Sequence, residues 1–190
     1  MYNEYMAKVL LCSASPRRRE LLYKLVSDFD VESSGAEEYS RYLPPHLRVM
    51  DLARQKGRAA HAKGRIVIAS DTLVYRKGKY YGKPKDRSEA VAMLRELSGV
   101  RHSVYTGVYL AAKGEEILFY DRAEVLFEEL TDEMIDRYID EFRPLDKAGA
   151  YGVQDGVVVK KYRGSFDTIM GLPTEKLGSV LEKMGVRDVF

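Results

Sequence analysis

Three short segments combine residue types suited to phosphate and metal chemistry. The first is Ser13-Ala14-Ser15-Pro16-Arg17-Arg18-Arg19. The apolar run from Lys8 to Cys12 predicts a buried strand. A helix is predicted from Pro16 to about Val26, with Ser15 as its cap and Pro16 in the first turn, where a missing N–H is harmless. A helix start carries partial positive charge and unsatisfied N–H groups, so acids usually stand there, as Asp132 and Glu133 do after Thr131. Three arginines in that position are each unfavourable by a few tenths to about 1 kcal/mol, and a bound polyanion reverses the sign. Small residues, exposed amides and guanidinium groups at a strand-to-helix turn suit a phosphate. Arginines that only face solvent or distant acids would read the same way.

The second segment is Asp71, after the apolar run Ile66-Val67-Ile68-Ala69-Ser70. An acid at the carboxyl end of a strand in an α/β protein can hold magnesium or orient a water, and it can equally form a turn. Lys56 in Leu52-Ala53-Arg54-Gln55-Lys56, Lys83 in Gly82-Lys83-Pro84 and the pair Glu37-Glu38 are each ordinary surface residues taken alone. Together they fit one chemistry: cations for a triphosphate, carboxylates for a divalent metal, and a water aimed at phosphorus. The third segment, Asp146 to Gln154, is built of small residues around Gly149 and Gly152. Such a stretch lets a backbone approach a ligand, and the Gln154 amide offers a donor and an acceptor to a base edge; a structural turn with a surface glutamine is the alternative.

The surrounding pattern supplies the elements that must carry these groups. Helices are predicted over Pro45 to Ala62, over the segment after Asp86 up to Gly99, from Thr131 to Phe142 before Pro144, and from Thr174 to Met184. Arg65 to Ser70 reads as a buried strand ending at Asp71, Leu73 to Tyr81 as a hairpin turning at Lys77-Gly78, and Ser103 to Ala112 with Glu116 to Glu129 as two long strands joined by a turn at Lys113-Gly114. Gly149 to Lys161 reads as strand and turn. A mixed sheet with helices packed on it is the economical arrangement.

Composition narrows the function classes. The chain has 190 residues, 45% hydrophobic and 32% charged, which suits one domain or one domain with two lobes. A net charge of +2 demands neither a nucleic-acid nor a membrane partner. One cysteine, Cys12, excludes an intrachain disulfide and a cysteine-based zinc site, and His46, His61 and His102 lack metal-ligand spacing. No GxxxxGK[ST] loop occurs, which argues against P-loop enzymes. The first fifteen residues are too short and charged for a signal peptide or a span, so a cytoplasmic location is expected. Fourteen tyrosines and many Lys and Arg residues keep a nucleic-acid-binding module in view, although no RNP, KH or zinc-finger pattern occurs.

The ordered set of segments resembles the Maf family of nucleotide pyrophosphatases. It comprises residues 13–18, Leu52-Ala53 with Lys56, Ser70-Asp71-Thr72, Gly82-Lys83-Pro84, Thr106-Gly107-Val108, residues 146–154 and Gly171-Leu172-Pro173. The resemblance implies a single Maf-like domain over residues 1–190. It also implies a mixed α/β fold: an elongated central sheet flanked by helices, with two lobes around a cleft, similar to the inosine triphosphate pyrophosphatases. The implied activity is hydrolysis of a nucleoside triphosphate between the α and β phosphates, dependent on Mg²⁺ or Mn²⁺. Residues 146–154 look like the branch acting on dTTP and UTP; an inosine/xanthosine-type pyrophosphatase is the alternative. Carried over by position, Asp71 is the catalytic and metal-site acid and Glu38 a second metal-site acid. Ser13, Arg17, Arg18, Lys56, Lys83 and Gln154 bind substrate. The resemblance also suggests a homodimer, and no stable nucleic-acid partner is expected. The chain departs from the family pattern at Gly57, where alanine is usual, at Arg143, where an acid is usual, at Asp155, where glycine is usual, and over residues 165–169.

Overall fold

The computed structural model describes residues 8–33, 35, 39–60 and 64–186. The strands are β1 (Val9–Cys12), β2 (Phe29–Glu32), β3 (Ile66–Arg76), β4 (Lys79–Tyr81), β5 (Arg101–Ala112), β6 (Glu115–Phe127) and β7 (Val159–Arg163). The helices are α1 (Pro16–Leu22), α2 (Pro45–Arg58), α3 (Arg87–Leu97), α4 (Asp132–Phe142), α5 (Phe166–Met170) and α6 (Thr174–Lys183). The strands form one mixed seven-stranded sheet in the order β2-β1-β3-β5-β6-β7, with β4 paired to β3. This is the mixed α/β sheet with helices that the sequence predicts.

The chain divides into two compact units, each assembled from separate segments. The first contains residues up to Asp71, Thr106–Asp121 and the chain from Gly171 onward. Its parallel core pairs β1 with β2 (Val9 opposite Phe29) and with β3 (Val9 opposite Ile66). All four β1 residues are buried, as befits a strand covered on both faces. Leu10, Cys12, Val67 and Ala69 from these strands pack with Ala53 of α2 and Tyr109 of β5.

The second unit contains Thr72–Tyr105 and Arg122–Met170. Its core joins Val74, Tyr81, Val104, Val125 and Phe127 of the strands to Met93, Leu94 and Leu97 of α3 and Ile135, Tyr138 and Ile139 of α4. The three α4 residues fall on one stripe, the spacing that makes a helix amphipathic. Thr131 caps α4 as predicted, its hydroxyl accepting from Met134 N–H. Asp86 caps α3 by accepting from Glu89 N–H, while the Glu89 carboxylate reaches back to Lys85 N–H, one residue before the usual capping-box donor. The predicted turns fall at Lys77-Gly78 and Lys113-Gly114, all four residues at positive φ.

Four expectations need correction. Helix α1 ends at Leu22, not Val26, and α2 at Arg58, before Ala62. Strand β3 does not stop at Ser70 but continues through Asp71 to Arg76. Residues 149–158 contain short 3-10 turns, not strand, before β7 begins at Val159. Strand β2 and helix α5 were not foreseen.

Candidate active site

In the first unit, Asp71 lies inside β3 and is only 7% exposed. Its Oδ1 accepts a hydrogen bond from Lys56 Nζ at 2.6 Å, and Lys56 is 8% exposed. Lys56 stands in the last turn of α2, where a cation suits the helix dipole. A buried ion pair of this kind adds little net stability, because desolvation offsets the attraction, yet removing one partner strands a buried charge. Net stability alone therefore does not account for such a pair in the middle of a buried strand.

The β1–α1 turn belongs to the same unit. Ser15 occupies the N-cap position of α1, but its side chain makes no capping bond. Instead Ser13 Oγ accepts from Ser15 N–H at 3.1 Å and, weakly, from Arg18 Nη1 at 3.4 Å. Arg18 Nε donates to the Gly171 carbonyl at 3.0 Å, and that carbonyl also accepts from Ser70 Oγ at 3.0 Å. Gly171, at φ 115°, thus ties the guanidinium of α1 to the residue preceding Asp71. Arg17 is half-buried on the same helix turn, whose first turn holds no acid. Ser13, Arg17, Arg18, Lys56 and Asp71 are members of one compact unit, in which Arg18 touches Ser13 and Lys56 touches Asp71.

Lys83 and Gln154 belong to the second unit, and both side chains are exposed. Their loops are linked there, since Gly149 N–H donates to the Gly82 carbonyl at 3.0 Å. Lys147, whose side chain is 12% exposed and pairs with Asp146 at 3.0 Å, adds a shielded cation that the sequence reading passed over. Glu37 and Glu38 lie outside the described residues, so the metal-site role assigned to Glu38 gains no geometry. Ser70 and Gly171 were likewise overlooked as organising groups; both lie in the matched segments, but their mutual contact spans 101 positions.

Among the described residues no three His, Cys, Asp or Glu side chains gather to enclose a metal ion. Magnesium in phosphate-transfer sites is typically held by one or two carboxylates, waters and the substrate's own phosphates. The buried carboxylate of Asp71 fits that kind of site and not a closed protein cage.

The Maf-like protein family matches residues 8–184. The chain belongs to this family. It is 42% identical over 189 residues to a dTTP/UTP pyrophosphatase of Bacillus cereus, covering 97% of this chain and 93% of the relative. A dTTP/UTP pyrophosphatase of Bacillus anthracis is 41% identical over 186 residues, covering 95% and 97%. Among solved structures, the Staphylococcus aureus Ham1 protein aligns with a TM-score of 0.47 and 14% identity, over 64% of this chain and 72% of that one.

Two glycines of this unit are explained by packing. A Cβ on Gly107, in Thr106-Gly107-Val108, would fall within 2.6 Å of the Met50 backbone nitrogen, so this glycine seats α2 against β5. A Cβ on Gly57 would run into the ring of Tyr109. The departure from the usual alanine therefore makes room for a buried tyrosine, whose hydroxyl donates to Glu116 at 2.7 Å.

Proposed function

We propose that the chain hydrolyses dTTP and UTP to the nucleoside monophosphate and pyrophosphate, with a divalent cation, Mg²⁺ or Mn²⁺. The names of relatives sharing about two fifths of its residues support the substrate class. The observation that carries the chemistry is the buried Lys56–Asp71 pair in the unit that also holds Ser13, Arg17 and Arg18.

Lys56 keeps the Asp71 carboxylate aimed in one direction, and the second carboxylate oxygen is available for a water or a cation. Asp71 would hold the cation, and a cation bound there would supply positive charge against the charge building on the phosphoryl oxygens. Asp71 orients the water that attacks the α-phosphorus. Arg17 and Arg18 bind the phosphates and stabilise the departing pyrophosphate, and Lys83 is assigned to the substrate from the family pattern alone. Gln154 meets the base. Glu38 is assigned to the cation from the family pattern alone.

A panel of nucleoside triphosphates with Mg²⁺ tests this, reading the first product as pyrophosphate or orthophosphate. Pyrophosphate from dTTP and UTP is expected, with turnover lost in EDTA and restored by added Mg²⁺ or Mn²⁺. Orthophosphate first would exclude α–β cleavage, and preference for ITP or XTP would move the chain to the other substrate class. Among the described residues no helix is long and apolar enough to cross a membrane. We place the enzyme in the cytoplasm as a homodimer without a stable nucleic-acid partner; light scattering of the purified chain tests the dimer.

A further inference from the structure

The turn that carries Gln154 is held from behind. Val153–Asp155 form one 3-10 turn, closed by Asp155 N–H donating to the Gly152 carbonyl at 3.2 Å. Behind it lies Tyr138 of α4, 1% exposed and stacked on Phe142 with ring centroids 5.0 Å apart. The Tyr138 hydroxyl donates to Asp155 Oδ2 at 2.5 Å and accepts from Gly152 N–H at 3.0 Å. A Cβ on Gly152 would collide with the Gln154 amide nitrogen and lie 2.7 Å from Asp155 Oδ2. The Gln154 and Asp155 side chains therefore both fold over Gly152.

Resting on the assignment of Gln154 to the base, we propose that Asp155 and Tyr138 are positioning residues that lock the 152–154 turn through a chain from carboxylate to phenol to Gly152 amide. A phenol donating to a carboxylate makes a bond about twice as strong as a neutral one. That bond fixes the hydroxyl rotor with its lone pair toward Gly152 N–H. Burial, with the Asp155 hydrogen bond, pushes the Tyr138 pKa up, so the phenol remains the donor throughout the working pH range. The fixed Gly152 backbone is the floor on which the Gln154 amide rests. Where the family pattern stated above has glycine after this glutamine, this chain carries the carboxylate that makes the lock.

The test compares Asp155→Gly, Asp155→Asn and Tyr138→Phe in the full-length protein. Loss of one such hydrogen bond is expected to raise KM for dTTP about tenfold in Asp155→Gly and Tyr138→Phe, with kcat within about twofold. Asp155→Asn, which keeps an acceptor oxygen, should hold KM within about threefold. A KM unchanged in Asp155→Gly, or a kcat that falls in step with melting temperature, overturns the positioning role. Amide exchange of Gly152 by NMR reads the lock without turnover: faster exchange in Asp155→Gly and Tyr138→Phe is expected, and unchanged exchange overturns it. A wild-type chain that hydrolyses no nucleotide sinks the proposed activity, while the exchange measurement still decides the lock.

Discussion

Asp71 and Lys56 let stability and chemistry be separated. Asp71→Asn keeps the side-chain shape and an oxygen for Lys56 Nζ, but loses the charge that orients water or binds a cation. Pyrophosphate release should drop about a hundredfold or more, and because the buried Lys56 ammonium loses its counter-charge, the melting temperature should fall as well. Near-normal turnover in that variant would remove Asp71 from the mechanism. Lys56→Met leaves the carboxylate buried without its ammonium partner, and urea unfolding should show a loss of roughly 3–5 kcal/mol. The double variant, Asp71→Asn with Lys56→Met, should regain much of that stability and stay inactive. The sequence put Asp71 at a strand end, because Ser70-Asp71-Thr72 interrupts an apolar run. The strand continues because both polar side chains find distant partners, Gly171 for Ser70 and Lys56 for Asp71. No local pattern could show those contacts.

Secondary structure was legible where punctuation was strong. Thr131 and Asp86 mark helix starts by their own hydrogen bonds, and the two Lys-Gly turns mark hairpins. Strand β2 was missed although Phe29-Asp30-Val31-Glu32 alternates apolar and polar, because four residues are too few to declare a period and its place depends on pairing with β1. Helix α5 has five residues, too few for a helical repeat to declare itself. Between elements, Gly57 and Tyr109 form a matched pair on α2 and β5. Gly57→Ala should cost about 1–3 kcal/mol by overpacking, although alanine is the better helix former by about 1 kcal/mol. Adding Tyr109→Leu should restore part of the loss, so the two changes together would be less damaging than their separate effects added. Simple additivity in urea unfolding would show that the ring does not determine the residue at position 57.

The whole molecule should lose stability in acid in two stages. His102, 3% exposed and sharing a 2.9 Å hydrogen bond with the Tyr151 hydroxyl, is pulled by burial from 6.5 to about 4, with Arg76 acting in the same direction and the Val100 carbonyl opposing. The unfolded chain therefore takes up that proton first. The contribution is complete above pH 6.5 and is lost as the pH falls toward about 4, a change of roughly 3 kcal/mol at most. Glu116 acts lower. Arg58, at 2.6 and 2.9 Å, and Tyr109 hold its pKa near about 2 against 4.5, so its contribution is present above 4.5 and fades toward 2. Denaturant unfolding at pH 7, 5 and 3 should trace both stages, with His102→Gln flattening the first and Glu116→Gln the second. A flat profile between pH 7 and 5 would place the imidazole in a wetter setting than the fold gives it.

The chain passes from one unit to the other four times, and three of those passages lie within β3, β5 and β6. No linker exists at which a gene could be cut to yield either half alone. A chimera made by trading cassettes between relatives would sever strands in mid-course. On the proposed assignment of Gln154 to the base, altered base preference is to be sought by point substitution around residues 152–155, where the covalent frame is left intact.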